Sequence, residues 1–211
     1  LEKAGAVTST FRKLDPDKKE RVYRAGLETF SSNVFDRVSF DVIAQLAEVS
    51  KGSLFQYFDN KENLLRFVYE IFLDDYESRV SEYFARERAV RARERIRSFL
   101  LSQLDFWAGE ARYYRFYVKM RHENSRELTK EFNRRISRLL MEHVKTILAR
   151  GARTGEIRQD VEPERIAEII LYILEGLTEA VFMGAAKAEK KDQMVARLDS
   201  ALSLLFDGLK G

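Results

Sequence analysis

The chain has 211 residues with a net charge of +3 and no cysteine, which excludes disulfides, thiolate nucleophiles and cysteine-type zinc sites together. That length holds one large core or two small ones. The weak positive charge serves a nucleic-acid partner only if the cations gather on one face. No apolar run approaches the ~18 residues that span a bilayer. Residues 1–14 carry no hydrophobic stretch of signal type, so the expected setting is the cytoplasm, with no membrane partner.

Two prolines and a composition led by Arg, Leu, Glu and Ala predict an all-α protein of about nine helices. Residues 1–14 show no clear period and are expected to fray or to extend the first helix. Asp15-Pro16 reads as an N-cap followed by proline at the first helical position. That helix buries Val22, Ala25, Leu27 and Phe30 and closes at Asn33, expected in the left-handed conformation. Ser39 caps a short helix with Val42, Ile43, Leu46 and Ala47 apolar; after a break at Glu48-Val49, Ser50 caps another, Lys51 to Phe58. Asp59 with Glu62 resembles a capping box that opens a long helix from Asn60 to about Arg86.

The second half carries longer helices. One runs from about Arg95 to Gly109 and an aromatic one from about Arg112 to Met120. Asn124 and Glu127 cap a third, which Gly151 and Gly155 end; Pro163 opens a fourth and Lys191 a fifth. The expected division is a three-helix helix-turn-helix domain over residues 1–60 and a larger helical bundle over 61–211.

Two short capped helices joined by a turn of about four residues, braced before and after, make a helix-turn-helix, with the second helix built to enter a groove. Ser50, Lys51, Gly52 and Ser53 crowd its N-terminus, where free N–H groups and the positive dipole end favour phosphate. Gly52 lets the backbone approach closely, and Lys51 supplies charge. Ser53, Gln56 and Tyr57 supply hydrogen bonds to bases or phosphates, and Leu54 and Phe58 hold the helix on its core.

The stretch SFDVIAQLAEVSKGSLFQYFDNKENLL resembles the DNA-binding signature of the tetracycline-repressor (TetR) family of bacterial regulators, and RVYRAGLETFSSNVFDRVS before it resembles that family's first helix and loop. The likeness covers about residues 18–66, with Ile43-Ala44, Val49-Ser50-Lys51-Gly52, Tyr57-Phe58, Lys61 and Leu64-Leu65 in register without a gap. It implies a positioning helix over Ser39–Ala47 and a recognition helix over Ser50–Phe58. The DNA-contacting positions it implies are Ser39, Phe40, Ser50, Lys51, Gly52, Phe55, Gln56, Tyr57 and Lys61. Phe55 stands where the family usually has tyrosine, and Glu48 and Asn33 stand where it usually has glycine. From Lys18 to Arg66 eight bases face seven acids, so non-specific binding is expected to be weak.

The resemblance further implies an effector cavity in the C-terminal domain. Trp107, Tyr113, Tyr117 and His143 are the candidates to line it, although aromatic residues in a helical core are more often plain packing. The apolar stripes of the last two helices point to a homodimer built as a four-helix bundle, with Ile170, Leu174, Leu177, Val181, Leu198, Leu202 and Leu205 in the contact. Gly176, Gly184, Ala185 and Ala186 permit close approach there. The arginine run from Arg86 to Arg97 reads as a solvated helix junction rather than a second anionic contact. His122 and His143 are too far apart in sequence to chelate a metal together, and no catalytic constellation or cofactor fingerprint appears.

The expected function is a non-enzymatic regulator, most naturally a repressor, that binds a palindromic double-stranded operator as a dimer. A partly apolar small molecule would release it. The alternative is a helical ligand-binding or adaptor protein of the same fold with weakened operator binding.

Overall fold

The computed structural model describes residues 5–86, 91–123, 126–182 and 191–209. In chain order its helices are α1 (Ser9–Arg12), α2 (Pro16–Ser32), a 3-10 turn (Phe35–Arg37), α3 (Phe40–Ala47), α4 (Lys51–Phe58), α5 (Lys61–Arg86), α6 (Ala92–Gly109), α7 (Ala111–His122), α8 (Glu127–Arg153), α9 (Pro163–Phe182) and α10 (Lys191–Gly208). No strand occurs among the described residues. The chain forms two compact units: Leu1–Arg79 with Glu110–Arg134, and Val80–Gly109 with Arg135–Gly211.

In the first unit α2 begins as expected, with the Asp15 carboxylate accepting from the Lys18 N–H and proline in the first turn. Its end differs. Asn33 is extended (φ −127°, ψ 151°), and both its N–H and its side-chain amide donate to the Thr29 carbonyl, so the helix closes without a left-handed residue. The N-terminal stretch does not fray throughout. Phe11, on α1, is buried against Phe67 (ring centroids 4.9 Å), Phe58 (5.0 Å) and Tyr57 (5.7 Å). Gly26 lets α2 lie against α5, since a Cβ there would stand 2.7 Å from Val68 Cγ2. Phe72, Tyr76, Phe116 and Phe132 continue this core.

In the second unit α6 packs against α9 and α10. The Glu156 carboxylate accepts from the Ala92 and Arg93 N–H groups and so caps α6. Gly151 lies inside α8 rather than at its end, and Gly155 (φ +75°) makes the turn after it. Arg97 of α6 forks onto Asp199 of α10. Asn124 and the small residues at 184–186 lie outside the described residues.

Packing within this unit redraws the expected dimer contact. Ile170, Leu174, Leu198 and Leu202 are buried in the unit's own core, because α9 and α10 turn those residues toward each other and toward α6. Leu177 and Leu205 are half-buried, and the Val181 side chain lies outside the described residues. Among the described residues, the large apolar side chains left exposed on these helices are Ile169 (43%), Tyr172 (67%) and Leu204 (80%).

Candidate nucleic-acid interface

Local chemistry builds the two reading helices. Ser39 opens α3 by accepting from the Asp41 N–H at 3.1 Å. Glu48 closes it in the left-handed region (φ 56°, ψ 45°), its N–H donating to the Ala44 and Gln45 carbonyls. The side chain pays a steric penalty that the usual glycine would avoid. Ser50 then caps α4, its hydroxyl accepting from the Ser53 N–H at 2.9 Å and bonding the Ser53 hydroxyl at 2.8 Å. Behind these helices Ile43, Ala44, Ala47, Leu54 and Phe58 are buried, which sets the outward faces.

Asp59, expected to cap the long helix, instead ends α4 at φ 56°, ψ −44°; the Asn60 N–H donates to the Phe58 carbonyl across it, forming a tight γ-turn. Asn60 is the cap of α5, its side-chain oxygen accepting from the Asn63 N–H at 2.9 Å. The far end of α4 is held by the N-terminal segment. The Thr8 hydroxyl and N–H donate to the carbonyls of Gln56 (2.6 Å) and Tyr57 (3.0 Å), which the last turn of a helix leaves unsatisfied.

The outward face of α4 presents Lys51, Gly52, Phe55 and Gln56, with Ser50 exposed at its start and Ser53 half-buried. The Lys51 ammonium donates to Asp41 at 2.8 Å and holds that carboxyl below the usual carboxylate range. Both partners are solvent-exposed, so the pair is weak and a phosphate can compete for the lysine. Phe55 is 48% exposed and packs on Phe40 with ring centroids 4.6 Å apart. Phe40 and Tyr57 are buried: they hold the helices and do not form their outer surface. Lys61, expected to reach the DNA backbone, donates instead to the carbonyls of Phe35 (2.7 Å), Asp36 (3.3 Å) and Val38 (3.0 Å).

Of the apolar residues of α3, Ile43 and Ala47 are buried, whereas Val42 and Leu46 are about half exposed (46% and 52%). With Gln45 they complete the outward face of α3. An eight-residue helix has too few turns for its apolar period to settle its facing.

The candidate effector residues divide between the units. Tyr113 and Tyr117 are on α7 in the first; Trp107 and His143 are in the second. The Tyr113 hydroxyl accepts from the Tyr23 hydroxyl at 3.0 Å, and burial raises both phenols. Burial likewise raises Tyr117. Trp107 is fully buried. His143 stacks on Phe84 (centroids 4.3 Å, planes 14° apart), and burial holds its imidazole below the usual histidine range. No described helix is long and apolar enough to cross a membrane.

The family model described as bacterial regulatory proteins, tetR family, matches residues 22–68, the span from α2 through the first turns of α5. An HTH-type transcriptional regulator of Bacillus subtilis, YhgD, is 24% identical over 160 residues, covering 74% of this chain and 80% of its own length. The fatty acid metabolism regulator protein of Bacillus subtilis is 22% identical over 192 residues, covering 91% and 95%. The crystal structure of FadR from Bacillus subtilis, in complex with stearoyl-CoA, superposes with a TM-score of 0.70 at 21% identity, over 90% of this chain and 98% of that one. The matched span holds the capped helix-turn-helix, and the all-helical fold is shared along nearly the whole chain, so this protein is similar to the tetR family of bacterial regulatory proteins.

Proposed function

We propose that the protein is a ligand-responsive transcription repressor that binds a palindromic operator as a homodimer and leaves it when a small molecule binds. The observation that carries DNA reading is the Ser50-capped helix α4, with Lys51, Gly52, Phe55 and Gln56 on its open face. Lys51 supplies the charge, the first-turn N–H groups and Gly52 admit a phosphate, and Gln56 reads a base edge. Phe55 packs against sugar or a thymine methyl where a tyrosine would reach a phosphate. Residues 1–60 serve as the reading domain and 61–211 as the effector and dimerisation domain. Chromosomal operators place the protein's work in the bacterial cytoplasm.

Dimerisation follows from two-fold operators, whose half-sites lie roughly 34 Å apart. The exposed Ile169, Tyr172 and Leu204 support a contact through α9 and α10, with Leu177 and Leu205 at its margin. The likeness to a fatty acid metabolism regulator, and to a FadR solved with stearoyl-CoA, supports a long-chain acyl-CoA as effector. Trp107 and His143, both in the second unit, remain the residues proposed to meet it.

The test is selection of bound duplexes from a random-sequence library, footprinting at the enriched site, and a gel shift with and without stearoyl-CoA. A palindromic site released by the acyl-CoA is the expected result. Failure to enrich any duplex would favour the ligand-binding or adaptor reading. An enriched site unaffected by stearoyl-CoA would remove acyl-CoA while leaving DNA reading intact.

A further inference from the structure

Phe35 sits in the 3-10 turn between α2 and α3, and two cations from distant parts of the chain approach its ring. The Arg126 guanidinium lies 3.8 Å from the ring centroid and the Lys61 ammonium 4.5 Å. Phe30 stacks on the same ring at 6.1 Å. Each cation is also fastened to polar atoms of the turn. Lys61 donates to the carbonyls of Phe35, Asp36 and Val38, as many acceptors as an ammonium has protons. Arg126 donates to the Asp36 carboxylate at 2.8 Å and to Glu123 at 3.0 Å.

The turn held this way leads directly into α3. Val38 is buried, and Ser39 next to it is the cap of that helix. The position of the turn therefore sets where α3 begins. The bonds of the Glu48 and Val49 N–H groups back to α3 then carry that placement to α4.

We propose that Lys61 and Arg126 are positioning residues for DNA reading: they clamp the Phe35–Val38 turn and so set how α3 and α4 meet the groove, without touching phosphate. This rests on the DNA-reading function above. Its mark is a separation of affinity from salt dependence. A lost phosphate contact lowers the slope of log K against log salt by about 0.9, whereas a misplaced helix weakens binding with the cation count at the DNA unchanged.

The experiment uses the duplex that the wild-type full chain enriches from a random library, titrated at several KCl concentrations. Lys61→Ala and Arg126→Ala are expected to lose on the order of tenfold in affinity, the scale of one partly desolvated cation–π contact, with the wild-type slope retained. Phe35→Leu, which keeps an apolar side chain and removes no charge, is expected to lose affinity on the same scale. Lys51→Ala, the comparison variant, is expected to lower the slope. A reduced slope in Lys61→Ala or Arg126→Ala makes those residues phosphate ligands and overturns the proposal, as does wild-type affinity in Phe35→Leu. Circular dichroism checks folding; if Lys61→Ala does not fold, Arg126→Ala and Phe35→Leu decide. No enriched duplex for the wild type would instead overturn DNA reading itself, a result distinct from the others.

Discussion

Glu48 holds φ 56° and ψ 45° so that its N–H and that of Val49 can close α3, a conformation that costs an L-residue roughly 1–2 kcal/mol. Glu48→Gly is expected to raise the thermal midpoint through a gain of about 1 kcal/mol, part of the relief being offset by glycine's larger unfolded-state entropy. It also removes a carboxylate from the turn between α3 and α4, so on the proposed docking operator affinity should rise; a lower midpoint would show that the glutamate makes a compensating contact. Gln56 is the side chain on α4 with donors and an acceptor for a base edge. Gln56→Ala is expected to change the sequence preference of the enriched site while keeping the salt slope, and repeated selection with the variant checks it. His143 adds a pH dependence. Its folded form takes up a proton less readily than the unfolded chain, so its stability is full above the ordinary histidine range and falls as pH drops below about 6.5. Melting the wild type and His143→Phe at pH 7.5 and 5.5 should show a smaller acid loss in the variant.

At the scale of elements, the reading helices are largely legible in the amino-acid sequence. Ser39 and Ser50 are caps in the structure, and the break at Glu48-Val49 is where α3 ends, because caps and turns act within three or four residues of the chain. Asp59 and Asn60 show where such reading slips. Both are competent caps, and the choice fell to Asn60 because Asp59 is taken up by the γ-turn ending α4. Asn33 likewise had two ways to close α2 and used its side-chain amide. Ser50→Ala removes the α4 cap and is expected to cost about 1 kcal/mol. Gly26→Ala places a Cβ against Val68, between α2 and α5, and is expected to cost roughly 1–3 kcal/mol by overpacking. Denaturant midpoints check both. Pairing Gly26→Ala with Val68→Ala should recover part of the loss if the clash is its cause.

For the whole molecule, the apolar stripes of α9 and α10 announced burial without saying which side each neighbour takes. The structure turns Ile170, Leu174, Leu198 and Leu202 inward and leaves Tyr172 and Leu204 exposed. Tyr172→Arg combined with Leu204→Arg is therefore expected to yield a folded monomer in analytical sedimentation, with operator affinity lost along with two-site binding. A variant that still sediments as a dimer would move the interface to another surface. The amino-acid sequence by itself determined the all-helical class, the helix-turn-helix and the register of α4. Those depend on composition, caps and apolar spacing, which are local. Only the tertiary structure decided what each cation does. Lys51 lies open beside Asp41, whereas Lys61 and Arg126 close on a turn between 23 and 90 positions away in the chain. The physical reason is that a lysine's local sequence is the same whether its ammonium meets solvent, phosphate or three backbone carbonyls; folding brings the acceptors.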